Sequence, residues 1–265
     1  MAFEGSFDRL LGVICDEDEG SVITRDCCAI IANLLKGNAS NATLFREMGC
    51  VGSHVVPLLR RGLQEEVRGG GGDLWQQMLE MVGHLLAAST SDLQTTQTHM
   101  GKSGAVNLLV EAAIREGVSV ESKALALRLL ALLVYKHSPN RLLLSQMPAP
   151  QMGGGGGGGG RGAGGGGAAL DTLMQLAVST LGNSHQVNVA AALVFKCYLI
   201  GNVDGQQHIA VYMHVCICYI FYILYVYVHI YVYICIYTYI FVISMSISIS
   251  ISIYLSIYLS IICRI

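Results

Sequence analysis

Three groups of residues in this 265-residue chain have the types and spacing that chemistry would require. Gly101-Lys102-Ser103 offers the glycine, cation and hydroxyl with which a phosphate-binding loop cradles a polyphosphate. That motif needs an earlier glycine at position 96 and a strand before it. The residue there is Thr96 and no strand pattern precedes it, so nucleotide binding is not expected. Cys216-x-Cys218 with His208 and His214 is a possible zinc donor set, but no second matching pair follows, and the group straddles the start of a repetitive tail. Its proximity reads as chance. Asn38-Ala39-Ser40 and Asn41-Ala42-Thr43 are glycosylation patterns. With no secretory signal in MAFEGSFDRL, the expected roles are turn and helix cap, with Asn41 the candidate cap. His84 and Trp75 fall in a helical pattern and are expected to pack or line its rim. No Ser-His-Asp, paired-carboxylate or His-Glu-x-x-His arrangement can be assembled, so the chain reads as a non-enzyme with no cofactor and no metal.

The elements that would position such groups are helices. From about Val22 to Lys36, Ile23, Cys27, Ile30, Ile31, Leu34 and Leu35 recur at three- and four-residue intervals, and Gly37 is a residue suited to stop a helix. A short helix, TLFREM, follows and ends at Gly49; a third begins near Ser53, takes Pro57 in its first turn and ends at Gly62. The pattern then recurs. Asp73 opens a long helix with Leu74, Met78, Met81, Val82, Leu85 and Leu86 on one stripe, a threonine-rich turn follows, and AVNLLVEAAIREG closes at Gly117. Ser119 caps ALALRLLALLV, apolar nearly all round. That helix stops at His137-Ser138-Pro139-Asn140, where Pro139 disfavours helix at Ser138, and RLLLSQM follows. After glycines 153–160 and 164–167, which read as a linker or loop expansion, come AALDTLMQLAVSTLG and, capped by Ser184, HQVNVAAALVFKCYLIG. Phe3 to Ile14 resembles the last helix of a preceding unit.

The intervals support a true repeat. Leu34 to Leu85 spans 51 residues and Leu85 to Leu132 spans 47. A period in the high forties points to armadillo or HEAT units rather than the 34-residue tetratricopeptide type. The expected fold is all-α: an armadillo/HEAT-like right-handed superhelical solenoid of about four repeats over residues 1–210, with a glycine-rich insertion at 152–168. Stacked units of this kind leave an apolar face wherever a neighbour is missing, and one is expected after Tyr198 to Ile209.

Apolar residues make up 53% of the chain and charged ones only 13%, an excess concentrated at one end. Of the 16 basic and 18 acidic side chains only Arg264 lies beyond Val211, and the remainder leave no basic footprint for nucleic acid. Cys27, Cys28, Cys50 and Cys197 sit in or beside apolar helical patterns and are expected to be reduced core residues, consistent with a cytosolic protein.

The run FDRLLGVICDEDEGSVITRDCCAIIANLLKGNASNATLFREMG resembles the armadillo-like head of the Uso-type vesicle-tethering factors. It shares an acidic residue and cysteine early in the long helix, an NLLK ending, an N-x-x-N turn and an aromatic-led short helix. The resemblance continues more weakly through MPAP to AALVFKCYLIGNVDGQQHIA and covers roughly residues 3 to 210. It implies a peripheral tether on Golgi membranes that captures vesicles before fusion in ER-to-Golgi and intra-Golgi transport, with Rab-type small GTPases, golgins and SNARE proteins as partners. The heptad-rich coiled coil that dimerises the family and its acidic tail have no counterpart here. No partner-binding residue of the family can be placed on a numbered position.

Residues 211–265 read differently. Tyr, Cys and His alternate with Ile, Val, Met and Thr, then SISISISI and two copies of YLSI follow. A TATC tetranucleotide repeat translates as Tyr-Leu-Ser-Ile, so this low-complexity tail is read as translated repeat DNA. The competing reading is a membrane anchor, since 211–243 has no formal charge and exceeds the roughly 20 apolar residues that cross a bilayer. Three functions stay open on sequence alone: a tether-type scaffold, an unrelated armadillo adaptor, and an integral membrane protein acting through its tail.

Overall fold

A computed structural model describes residues 5–18, 21–69, 73–88, 92–148, 168–178 and 184–207, with 210, 232, 233 and 237 beyond them. The chain divides into two compact units, Met1–Val203 and Asp204–Ile265. In the second, the rings of Tyr233 and Tyr237 lie 5.9 Å apart. Among the described residues no helix is long and apolar enough to cross a membrane. The glycine tract and the candidate span at 211–243, apart from residues 232, 233 and 237, lie outside the described residues.

The first unit is all-α, with no strand among its described residues. Its elements are α1 (Ser6–Asp16), α2 (Val22–Leu35), α3 (Ala39–Glu47), a π-helical turn (Val51–Val55) running into α4 (Val56–Val67), α5 (Asp73–Ala88), α6 (Leu93–Lys102), α7 (Ala105–Ile114), α8 (Val120–Val134), α9 (Ser138–Gln146), α10 (Ala168–Val178) and α11 (His185–Leu199). The long helices α2, α5, α8 and α11 pack consecutively. The helices before them, α4, α7 and α10, form a second row against their own long helix and one another, and the short α3, α6 and α9 bridge between units. This is an armadillo-type solenoid. Each unit buries its apolar side only against neighbours, so the long helices inside the array are apolar on two faces. In α8, Ala124, Ala126, Leu127, Leu129, Leu130, Ala131, Leu133 and Val134 are all buried.

The joints between units repeat in backbone detail. Lys36, Tyr135 and Ile200 end their long helices with φ near −60° and ψ near 110°. Each is followed by a left-handed residue: Gly37 at φ 64°, Lys136 at 51° and Gly201 at 67°. Next comes an extended cap, Asn38 or His137, whose side chain accepts the amide of the third residue onward, Asn41 or Asn140. These joints place Leu34 opposite Leu133, one residue from the pairing with Leu132 that the leucine spacing suggests.

Several expected boundaries move, each for a local reason. Asn38 caps α3; Asn41 instead lies buried inside the helix and donates through Nδ2 to Leu34 O at 2.7 Å. The threonine-rich segment after Ala88 is helix α6, not a turn, because Thr96, Gln97 and Met100 are buried between units. Gly62 does not end the third helix. It is the point of close approach to α5, where a Cβ would stand 3.0 Å from the Trp75 backbone, and α4 continues to Val67. Pro139 occupies the first turn of α9, where it lacks no hydrogen bond, so Ser138 is helical. In α2 the buried side is Thr24, Cys27, Cys28, Ile31 and Leu35, while Ile23 and Ile30 are exposed.

Candidate interaction surface

Of the residues whose types suggested chemistry, Gly101, Ser103 and Trp75 are taken up in packing and helix ends. Gly101 lies in α6 against Asn140, so close that a Cβ would fall 2.0 Å from its Oδ1. Ser103 Oγ donates to His99 O, and Lys102 is exposed. This glycine, lysine and serine end a helix rather than begin one, which is the wrong terminus for an anion. Trp75 is fully buried, and His84 is half-buried on α5. His208, His214, Cys216 and Cys218 lie outside the described residues. Among those described, no group of His, Cys, Asp and Glu could hold a metal ion.

Cys27, Cys28, Cys50 and Cys197 are free and buried. Burial pushes the Cys28 thiol up to about 12. Cys50 is also raised to about 12, first by burial and then by its hydrogen bond to Asp8 Oδ1 at 3.4 Å. Neither supplies a thiolate near neutral pH, so neither is a nucleophile.

The polar side chains that sequence reading passed over join one unit to the next. Gln97 on α6 donates through Nε2 to Leu132 O at 2.7 Å and Tyr135 O at 2.9 Å, the end of α8. Arg141 on α9 donates through Nη2 to Cys197 O at 3.0 Å and Ile200 O at 2.7 Å, the same two carbonyl positions at the end of α11. Its Nε also reaches Val134 O at 2.9 Å. The last carbonyls of a helix have no partner within it, so each is satisfied from the adjacent unit. Glu66 Oε1 does the converse at a helix start, accepting the Ser119 amide at 3.0 Å. Arg61 reaches the end of α1 through Cys15 O and Ile14 O, and buried Arg46 bonds Asp92 and Thr96 at the start of α6.

These joints fix the long helices in register and leave one stripe of each in solvent. Val22 and Ala29 of α2, Glu80 and Ala87 of α5, Glu121 and Arg128 of α8, and Gln186 and Leu193 of α11 are exposed, spaced seven residues apart on each helix. The stripe is a mixed row of small, apolar and singly charged groups. The residues named in it bring no acids, bases or nucleophiles together.

No family model matches the chain. Locally it is 43% identical over 49 residues to the general vesicular transport factor p115 of Rattus norvegicus and of Homo sapiens, a match covering 18% of this chain and 5% of each relative. It is 47% identical over 51 residues to the intracellular protein transport protein USO1 of Saccharomyces cerevisiae, covering 18% of this chain and 3% of that protein. The matches therefore span a small fraction of the curated relatives. A solved structure described as the crystal structure of Uso1-2 superposes with a TM-score of 0.61 at 19% identity, over 79% of this chain and 32% of that one, a likeness of fold. The local identity and the shared helical fold together support a fragment of a Uso-type vesicle transport factor.

Proposed function

We propose that this chain is a non-enzymatic scaffold in vesicle transport, acting through the exposed stripe of its stacked long helices. The observation that carries this reading is the local identity to proteins named for vesicular transport, on a chain whose fold matches the Uso1 structure over 79% of its length. Residues 1–210 are the head-type scaffold, interrupted at 152–168, and 211–265 are a separate low-complexity tail. The scaffold captures vesicles before fusion in ER-to-Golgi and intra-Golgi traffic, and Rab-type GTPases, golgins and SNARE proteins are the partners the resemblance implies. It works as a peripheral protein on the cytoplasmic side of Golgi membranes.

The test is retention of purified Rab-type GTPases, in their GTP and GDP forms, and of golgin fragments on the immobilised chain. A real partner should lose at least about tenfold in affinity with Leu193→Asp or Arg128→Glu, about 1.4 kcal/mol, while thermal unfolding is unchanged. Folded protein that retains neither class would refute the reading.

A further inference from the structure

We propose that His137 makes the joint between α8 and α9 acid-labile: a proton taken up by its ring frees the start of α9 and, through Arg141, lets α11 part from α8. The proposal is independent of the vesicle reading and rests on one joint built twice from different residues. At the end of α2 the cap is Asn38, whose Oδ1 accepts the Asn41 amide at 3.0 Å, and Asn41 Nδ2 donates to Leu34 O at 2.7 Å. At the end of α8 the cap is His137, whose Nδ1 accepts the Asn140 amide at 3.2 Å, and Asn140 Nδ2 donates to Leu133 O at 2.9 Å. The two joints make the same bonds. An amide cap does not titrate, and an imidazole cap does.

The surroundings fix the ring in the one form that can cap. Thr98 Oγ1 donates its single proton to Gln94 O at 2.8 Å, so toward His137 Nε2, 3.0 Å away, it can only accept. Nε2 therefore carries the hydrogen and Nδ1 the lone pair. A second proton must go to Nδ1, where it would meet the N–H of Asn140. The ring is buried and cannot offer that proton to water while it stays in the cap. Burial, then the positive charge of Arg141, favours the neutral ring and outweighs the Gln94 carbonyl. The groups α6 turns to the ring, Gln94 O and Thr98 Oγ1, do not titrate; Asp92 of that helix is taken by Arg46, and His99 and Lys102 are exposed. At the end of α8 Lys136 is exposed, with Nζ 5.3 Å from the centre of the Tyr135 ring. From α11, Cys197 and Tyr198 act on Arg141.

Loss of this cap does not stay at residue 137. Asn140 Nδ2 also donates to Gln97 O on α6 at 3.0 Å, and Arg141 beside it holds Val134 O of α8 and Cys197 O and Ile200 O of α11. The first turn of α9 thus ties three other helices together, and the imidazole sits at its start. Protonation should open the array at this one place and break the alignment of the exposed stripe between α8 and α11. The Asn38 joint should stay closed.

The test is peptide-resolved amide hydrogen exchange on the full chain at about pH 7.5 and about pH 5.5, corrected for the intrinsic pH dependence of exchange. One pH unit below the ordinary histidine value of 6.5, linkage predicts that protection over 138–146 and 187–200 falls about five- to tenfold. Protection over 39–47 should change by less than about twofold, since no titrating group caps α3. In His137→Asn, α9 should respond to pH as α3 does. Should that variant lose its far-ultraviolet circular dichroism, the ring of the unaltered chain decides: its nuclear magnetic resonance titration should have a midpoint below 6.5. A midpoint at or above that value, an equal response of α3 and α9, a response that survives in folded His137→Asn, or loosening of α9 without α11 would each overturn the proposal.

Discussion

Removing the guanidinium of Arg141 should separate α11 from the rest of the solenoid before any other element loosens. The side chain is buried, at 6% exposure, and makes three hydrogen bonds to carbonyls: Val134 O on α8, and Cys197 O and Ile200 O at the end of α11. Arg141→Met keeps most of the apolar stem and deletes all three donors. Summing three charge-assisted bonds at about 1.5–3 kcal/mol each would overstate the effect, because some freed carbonyls reach water. With about 1–3 kcal/mol for each buried acceptor left without a donor, and part of that recovered from water, a loss of about 3–4 kcal/mol is expected. Arg141→Lys retains the charge near a helix C-terminus but lacks the fork that holds two carbonyls together, and should cost about half as much.

The assay is amide hydrogen exchange resolved by peptide, since units that touch only neighbours open locally. For Arg141→Met, protection over 187–200 should drop by two to three decades, at about 1.4 kcal/mol per decade, while α2 and α5 stay within a factor of two or three. Equal loss across all helices would refute the idea that this side chain acts at one joint. Unchanged protection over 187–200 would show that α11 is held by apolar packing alone.

Other consequences follow from the same joints. Gly101→Ala places a methyl against Asn140 Oδ1 and should lower stability by about 1–3 kcal/mol through overpacking, whereas Lys102→Met should be neutral in chemical denaturation; the reverse ranking would reopen a ligand role for this segment. His137 accepts the Asn140 amide through Nδ1, and burial, then the charge of Arg141, lowers its pKa from 6.5. The unfolded chain therefore takes up this proton first as pH falls. Stability from the neutral cap is complete above about pH 6.5 and declines below it toward the folded-state value. His137→Asn, the residue type that Asn38 supplies at the equivalent joint, should flatten this part of the stability profile between pH 7 and 5. Lys136 is the described non-glycine residue with positive φ, at 51°, where Gly37 and Gly201 stand in the other joints. Lys136→Gly should gain about 0.5–1 kcal/mol by relieving the left-handed conformation, read as a higher urea midpoint.

What was legible in the sequence was whatever repeats at short range. The long helices announced themselves through three- and four-residue apolar spacing, and Ser119 and Ser184 cap two of them as expected, while Ser21 caps a third that had no cap assigned. The third-helix row was readable for the same reason. Helix α6 was not, because Leu93-Gln94-Thr95-Thr96-Gln97 has a turn-like composition. Its helical state comes from burial of Thr96 and Gln97 against neighbours more than thirty residues away. Gly62 was expected to end a helix and Gly101 drew notice only as part of a Gly-Lys-Ser run; both are contact points instead. A glycine read alone cannot show which other backbone or side chain approaches it. The exposed apolar residues Ile23 and Ile30 were placed inside because periodicity identifies a helical face without telling whether a partner covers it.

The polar joints explain why the apolar patterns alone leave the solenoid underdetermined. Apolar faces attract without direction, and two long helices of similar composition could slide along each other by a turn with little change in buried area. Gln97 and Arg141 remove that freedom. Each reaches the cap carbonyl and the one three residues before it, a pair found only at a helix end. A slip by one turn would leave those carbonyls, and the buried donors, without partners at about 1–3 kcal/mol each. Register at the ends of α8 and α11 is therefore set by these side chains, and the solvent-exposed stripe on those helices inherits its alignment from them. A partner that reads several units at once depends on Gln97 and Arg141 without touching either.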